Sequence, residues 1–152
     1  MRTPTRCGTA LLGGTGLVLL ALSATALGAS SPAGEWMVAN GKAIMRVVDC
    51  RGQYWGLVAW EQSPGGVDVN NPNPSLRTRS TLGMPVLLGM APAGGQATWS
   101  GRIYNSQDGR TYDGRIRLAG PDTLHVEGCV LGFLCGGEDW RRVSGAHAVR
   151  TR

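Results

Sequence analysis

The stretch Gly101–Gly114, GRIYNSQDGRTYDG, decides the fold. Asp108-Gly109 is a residue pair tolerant of positive φ, which a two-residue type I′ hairpin turn requires. With that pair as the turn, Ile103 faces Gly114, Gly101 faces Ile116 and Trp99 faces Leu118. The two glycines lie opposite bulky residues, and one face carries the apolar groups. Arg102, Arg115 and Arg117 fall on the other face. This alternation describes antiparallel strands buried on one side. A slip of one residue would exchange the two faces.

The same inner face continues beyond the hairpin. Gly120-Pro121-Asp122 reads as the next turn, which sets Leu118 against Leu124, Ile116 against Val126 and Gly114 against Gly128. A last strand after Cys135 holds Trp140, Arg142 and Val143. Toward the N-terminus, Asn40-Gly41 is the strongest short hairpin signal in the chain. It joins a strand at Gly34–Val38 to one at Lys42–Asp49 and sets Trp36, at the edge of the core, against Met45. Tyr54–Glu61 is a third strand, rich in β-formers. Gln62–Thr81 has no hydrophobic period and reads as a loop of about 20 residues, a length that signals function or mobility. Leu82–Met90 is apolar again, with Pro85 pointing to an edge strand or a short helical turn.

About eight strands in meander order, with no amphipathic helix, predict an all-β fold. The closed form is an eight-stranded antiparallel up-and-down β-barrel, which removes the sheet edges; the alternative is an open sandwich. An eight-stranded barrel has room for side chains or one small ligand. Gly101, Gly114 and Gly128 would lie side by side, either bending the wall or leaving internal space.

Residues 1–26 carry the pattern of a secretory signal peptide: Arg2 and Arg6, an apolar run through Leu22, and a small-x-small site at Ala24-Thr25-Ala26. The expected mature protein is exported, periplasmic or secreted, with the barrel over residues 34–143 and a frayed tail at 144–152. Without Arg2 and Arg6 the chain keeps 13 basic residues against 10 acidic, a net charge of +3. Basic residues scattered in this way make no dense patch for nucleic acid. In an oxidising compartment Cys129 and Cys135 are expected to pair across a hairpin. Cys50 is then left over, as a buried free thiol, an intermolecular bond or a reactive nucleophile.

The sequence shows no phosphate-binding glycine loop, no nucleophile elbow and no metal-ligand spacing. No cofactor and no catalytic residue is assigned. His125 lies on the face opposite Leu124 and Val126 and reads as a surface residue. Glu138 and Asp139 are adjacent in a strand and point to opposite faces. Asp68 is the one acidic residue of the long loop without an obvious structural task. Tyr104 and Tyr112 flank the hairpin turn, where their phenols reach a ligand or loop backbone.

Gly34-x-Trp36 with Trp140-x-Arg142 resembles the lipocalin and calycin signature. The resemblance implies that Trp36 packs at the closed barrel end under Arg142, a cation–π contact of about 0.5–2 kcal/mol. A wider set resembles the bacterial exported domain of unknown function 2147 (DUF2147). Its pieces are GEW at 34–36, VVDC at 47–50, WGLVAW at 55–60, Asp68 with Asn71-Pro72, Arg79, the 101–114 hairpin and DTLHVEGC…DWRRV at 122–143. That family resembles lipocalins in fold and is thought to bind small, lipid-like molecules outside the cytoplasm. It usually has a second cysteine where this chain has Trp55. The expectation is therefore an exported lipocalin-like barrel that binds a small hydrophobic or amphipathic ligand without covalent chemistry. Trp60, Asp68, Asn71, Arg79, Tyr104 and Tyr112 are the candidate ligand-binding residues. Asp68, Asn71 and Arg79 either face the ligand or pin the loop as a lid or rim. An envelope interaction module and a hydrolase are the rival classes.

Overall fold

The computed structural model describes residues 31–143, so the expected leader and tail lie outside the described residues. Eight strands follow one another: β1 (Gly34–Met37), β2 (Ala43–Cys50), β3 (Gln53–Glu61), β4 (Pro85–Pro92), β5 (Thr98–Asn105), β6 (Arg110–Gly120), β7 (Thr123–Val130) and β8 (Leu134–Arg142). Each pairs antiparallel with the next, and β1 pairs with β8, so the sheet closes into a barrel. Closure leaves β4 between β3 and β5, so Pro85 does not mark an edge. It stands first in its strand, a place that does not require its missing N–H.

Two predicted registers hold. Trp36 pairs with Met45. Leu118 pairs with Leu124, Ile116 with Val126 and Gly114 with Gly128. The opening hairpin differs from expectation by two residues: Gly101 pairs with Gly114, Trp99 with Ile116 and Asn105 with Arg110. The loop is therefore Ser106–Gly109, not Asp108-Gly109 alone. A type I′ turn needs positive φ at both central residues. Only Gly109 has it here, at 71°. The wider loop is closed by the Gly109 amide donating to the Asn105 carbonyl at 2.8 Å and the Arg110 amide donating to Asp108 Oδ1 at 2.9 Å. A shift by two preserves side-chain parity. The inner face is unchanged, with Ile116 fully buried and Arg102, Arg115 and Arg117 exposed.

The core inside the barrel joins Trp36, Met45, Val47, Leu87, Ile116 and Leu124 with their neighbours. Trp36 is fully buried within it and not at its edge. The strands present alternate residues inward, so the β-branched and aromatic run of β3 contributes Val58 to the core. Cys129 and Cys135 form a disulfide that staples the tip of the β7–β8 hairpin. Cys50 is disulfide-bonded as well, so the expected free or reactive thiol is not found.

Candidate functional site

The two ends of the barrel differ in construction. At the closed end the Arg142 guanidinium lies 4.1 Å from the Trp36 ring centroid. It also donates to the carbonyl oxygens of Pro121, Ala33 and Ser31 at 2.8, 2.9 and 3.1 Å. Trp36 Nε1 donates to Pro32 O at 2.8 Å. A planar fork with several donors suits this task, since one side chain ties the N-terminal approach, the β6–β7 turn and β8 together.

The opposite end opens on a cavity of about 770 Å³, within the usual range for small-molecule sites. Met45, Val58, Met84, Val86, Ile103 and Val126 supply apolar wall. A row of glycines crosses the barrel wall. Gly101, Gly114, Gly128 and Gly136 are paired side by side across β5, β6, β7 and β8. The row does two different jobs. A Cβ on Gly101 would stand 2.7 Å from the Leu88 carbonyl oxygen, and one on Gly114 would overlap Ile103. These two glycines permit close packing. A Cβ on Gly128 would make only an ordinary 3.7 Å contact, and one on Gly136 would meet nothing within 4 Å. Both of these line the cavity, so the missing side chains leave the space open.

The long loop is ordered by its own polar groups. It holds a 3₁₀ turn at Pro74–Leu76 and a β-bridge between Val67 and Ser80. Asp68 is fully buried at its centre. Tyr104 donates its hydroxyl to Asp68 Oδ1 at 2.6 Å. Asn71 Nδ2 and Arg79 Nε donate to Asp68 Oδ2 at 2.7 and 3.0 Å, and Arg79 also forms an ion pair with that oxygen at 2.8 Å. The Arg79 guanidinium lies 5.5 Å from the Tyr104 ring centroid. Burial by itself raises the Asp68 carboxyl pKa, but the hydrogen bonds from Tyr104, Asn71 and Arg79 outweigh it, and the net direction is down. Burial, followed by the Asp68 carboxylate, pushes the Tyr104 phenol up. A carboxylate with both oxygens occupied, no exposure and a lowered pKa holds a loop; it is not poised to take a proton.

A second tie joins this loop to the opening hairpin. Asn70 Nδ2 donates to the carbonyls of Ser106 and Gln107 at 3.2 and 2.8 Å. A Cβ on Gly109 would overlap the Asn70 carbonyl oxygen. Gly109 is thus required twice, by its positive φ and by the close approach of the loop.

The six ligand candidates separate on this geometry. Asp68, Asn71 and Arg79 come together, but in the loop network and not among the cavity-lining residues. Tyr104 and Tyr112 reach the cavity, each with its hydroxyl committed to a carboxylate, Asp68 and Asp108 respectively. That hydrogen bond is the main cause lowering the Asp108 pKa and raising that of Tyr112. Trp60 does not line the cavity. A bulge between the Ile44–Trp60 and Met45–Val58 pairs changes the side it presents, and it is 37% exposed. Sequence reasoning missed Glu138, Glu61 and Lys42, all of which line the cavity. For Glu138 the signal was present, since it shares strand parity with Trp140 and so points inward.

The chain is similar to a solved structure described as "Protein HP1028 from the human pathogen Helicobacter pylori belongs to the lipocalin family", with a TM-score of 0.66 and 24% identity. The match covers 74% of this chain and 82% of that one, and at this identity it shows the fold. No curated protein matches the chain. Residues 34–142, from the first strand to the last, match the family described as "Uncharacterized protein conserved in bacteria (DUF2147)", and the chain belongs to that family.

Proposed function

We propose that this protein binds a small hydrophobic or amphipathic molecule in its barrel and does so outside the cytoplasm. The observation that carries the reading is the cavity of about 770 Å³, whose wall combines apolar residues with a polar rim. Its volume depends on Gly128 and Gly136, where a larger residue would fill it. A lipocalin-like fold supports the same reading. The export part is supported by the leader pattern of residues 1–26 and by the Cys129–Cys135 disulfide, which suits an oxidising compartment. The loop network acts as a fixed rim, with its polar groups satisfied from within.

An apolar fluorescent probe is expected to bind the purified protein saturably and to be displaced by a natural lipid extract. Absence of saturable binding would overturn the proposal. Detection of the processed N-terminus in a periplasmic or culture-medium fraction checks the location.

The interaction-module reading keeps one observation in its favour. The disulfide-stapled tip exposes Leu131, Phe133 and Leu134 at 79%, 71% and 60%. Replacing Leu131 and Phe133 by serine separates the two readings: probe binding in the cavity is expected to survive, and any partner docking through the tip to be lost.

A further inference from the structure

β1 stops at Met37 because the Asn40-Gly41 turn follows it closely. It pairs with β8 only through Trp36–Arg142 and Met37–Arg141. From Leu134 to Asp139, β8 therefore has a neighbour in β7 and none in β1. The barrel wall carries a slot at this seam. A second cavity of about 480 Å³ lies along it, lined by Met37, Thr123 and Arg141 among others. Val38 and Glu138 line both cavities, so the two meet at the slot.

Glu138, an exposed residue at the mouth of the cavity, is the polar group placed at that junction. Its Oε1 accepts a hydrogen bond from Trp140 Nε1 at 2.5 Å. No lysine or arginine pairs with it among the described residues. It differs in this from Asp68, whose two oxygens take three side-chain donors. The indole engages one oxygen of Glu138, and a carboxylate has lone pairs for further donors. Around the cavity the charged side chains are Glu61, Glu138 and Lys42, two acids against one base. Glu61 accepts from Thr81 Oγ1 at 3.0 Å. Beside Glu138 the wall turns apolar, through Val126 and Met45.

We propose that the cavity takes an amphiphile with a cationic, hydrogen-bond-donating head, a primary amine or a guanidinium, seated on Glu138 at the β1–β8 slot. Its apolar tail lies among Met45, Val58 and Val126. This rests on the cavity-binding reading above and adds the head-group chemistry. An ammonium or guanidinium head supplies donors and opposite charge to the carboxylate, whereas a carboxylate head meets like charge there. Lys42 in the cavity and Arg141 at the slot are the groups that would favour an anionic head, against Glu138 and its neighbour Asp139, so the two assignments predict opposite rankings.

The test titrates the purified protein at neutral pH with dodecylamine, dodecanol and laurate, each below its micelle or solubility limit. Binding is read by calorimetry and by Trp fluorescence, since Trp140 is hydrogen-bonded to the proposed anchor. The amine is expected to bind about two- to fivefold more tightly than the alcohol, with laurate weakest. Added salt should shrink the amine's margin. In E138Q that margin should vanish while dodecanol binding holds. Laurate or dodecanol matching the amine in the native protein, or E138Q keeping the amine preference, would overturn the head-group assignment and leave cavity binding standing. If none of the three binds, both fall. The ranking in the native protein decides the matter if E138Q does not fold.

Discussion

At the closed end, Arg142 reaches three carbonyl oxygens and the Trp36 ring, and Trp36 has no exposed surface. At the open end, Gly128 and Gly136 contribute no side chain, and Glu138 takes a single indole donor. The long loop stands at the open end yet is built like the closed one, with Asp68 saturated by Tyr104, Asn71 and Arg79. The difference separates two uses of polar residues. Where they are satisfied by each other or by backbone, they hold shape. Where they are left with spare acceptors beside an apolar space, they can receive a ligand.

The strongest break of this comparison is Trp36→Ala. Removing a fully buried indole should cost about 3–5 kcal/mol, read by urea denaturation. It would empty the closed end, and a smaller loss would mean that the floor collapses around the gap. Asp68→Asn comes next, at about 2–4 kcal/mol near neutral pH, because Arg79 loses its anionic partner. The sign with pH follows from the lowered folded pKa. The native contribution is whole above the unfolded value of about 3.9 and is lost as pH falls through the lower folded value. Native and Asp68→Asn proteins should therefore converge in stability in acid. Parallel pH profiles would show that the carboxylate charge is not what holds the loop.

Gly109→Ala sharpens the comparison at the joint between hairpin and loop. Left-handed backbone costs alanine roughly 1–2 kcal/mol, and the clash with Asn70 O adds to it. Hydrogen exchange should rise in residues 66–80 before the β-strands lose protection. The smallest expected effect on stability is Gly128→Leu, within about 1 kcal/mol, because its Cβ makes only an ordinary contact with Tyr112 and the residue lines the cavity. The same change should abolish probe binding. Retained binding would show that the cavity is not the site.

Much of the fold was legible in the residues. Alternation in β5–β8 set the inner face, and it survived a two-residue error at Asp108-Gly109 because parity has period two. Turn length was not legible, since Asp108-Gly109 allows a two-residue turn without requiring one. Asp68, Asn71 and Arg79 were read as facing a ligand or pinning the loop, and Tyr104 as a separate candidate; the structure joins all four in one network. Asp68 and Tyr104 are separated by 36 residues, and only the packing of the loop against β5 joins them. Trp60, a candidate for the site, is turned from the cavity by the bulge beside Val58, which interrupts the alternation of β3.

The residues alone were enough for the strand number and for the inner face of β5–β8, because both follow from local turn chemistry and a two-residue repeat. The Trp36–Arg142 closure was expected only from the resemblance to lipocalins. Only the tertiary structure decided which glycines open a cavity and which permit contact. That depends on what stands across the barrel: Ile103 at Gly114, the β4 backbone at Gly101, and open space at Gly136. It also decided that β1 is too short to cover β8, which leaves Glu138 at the slot.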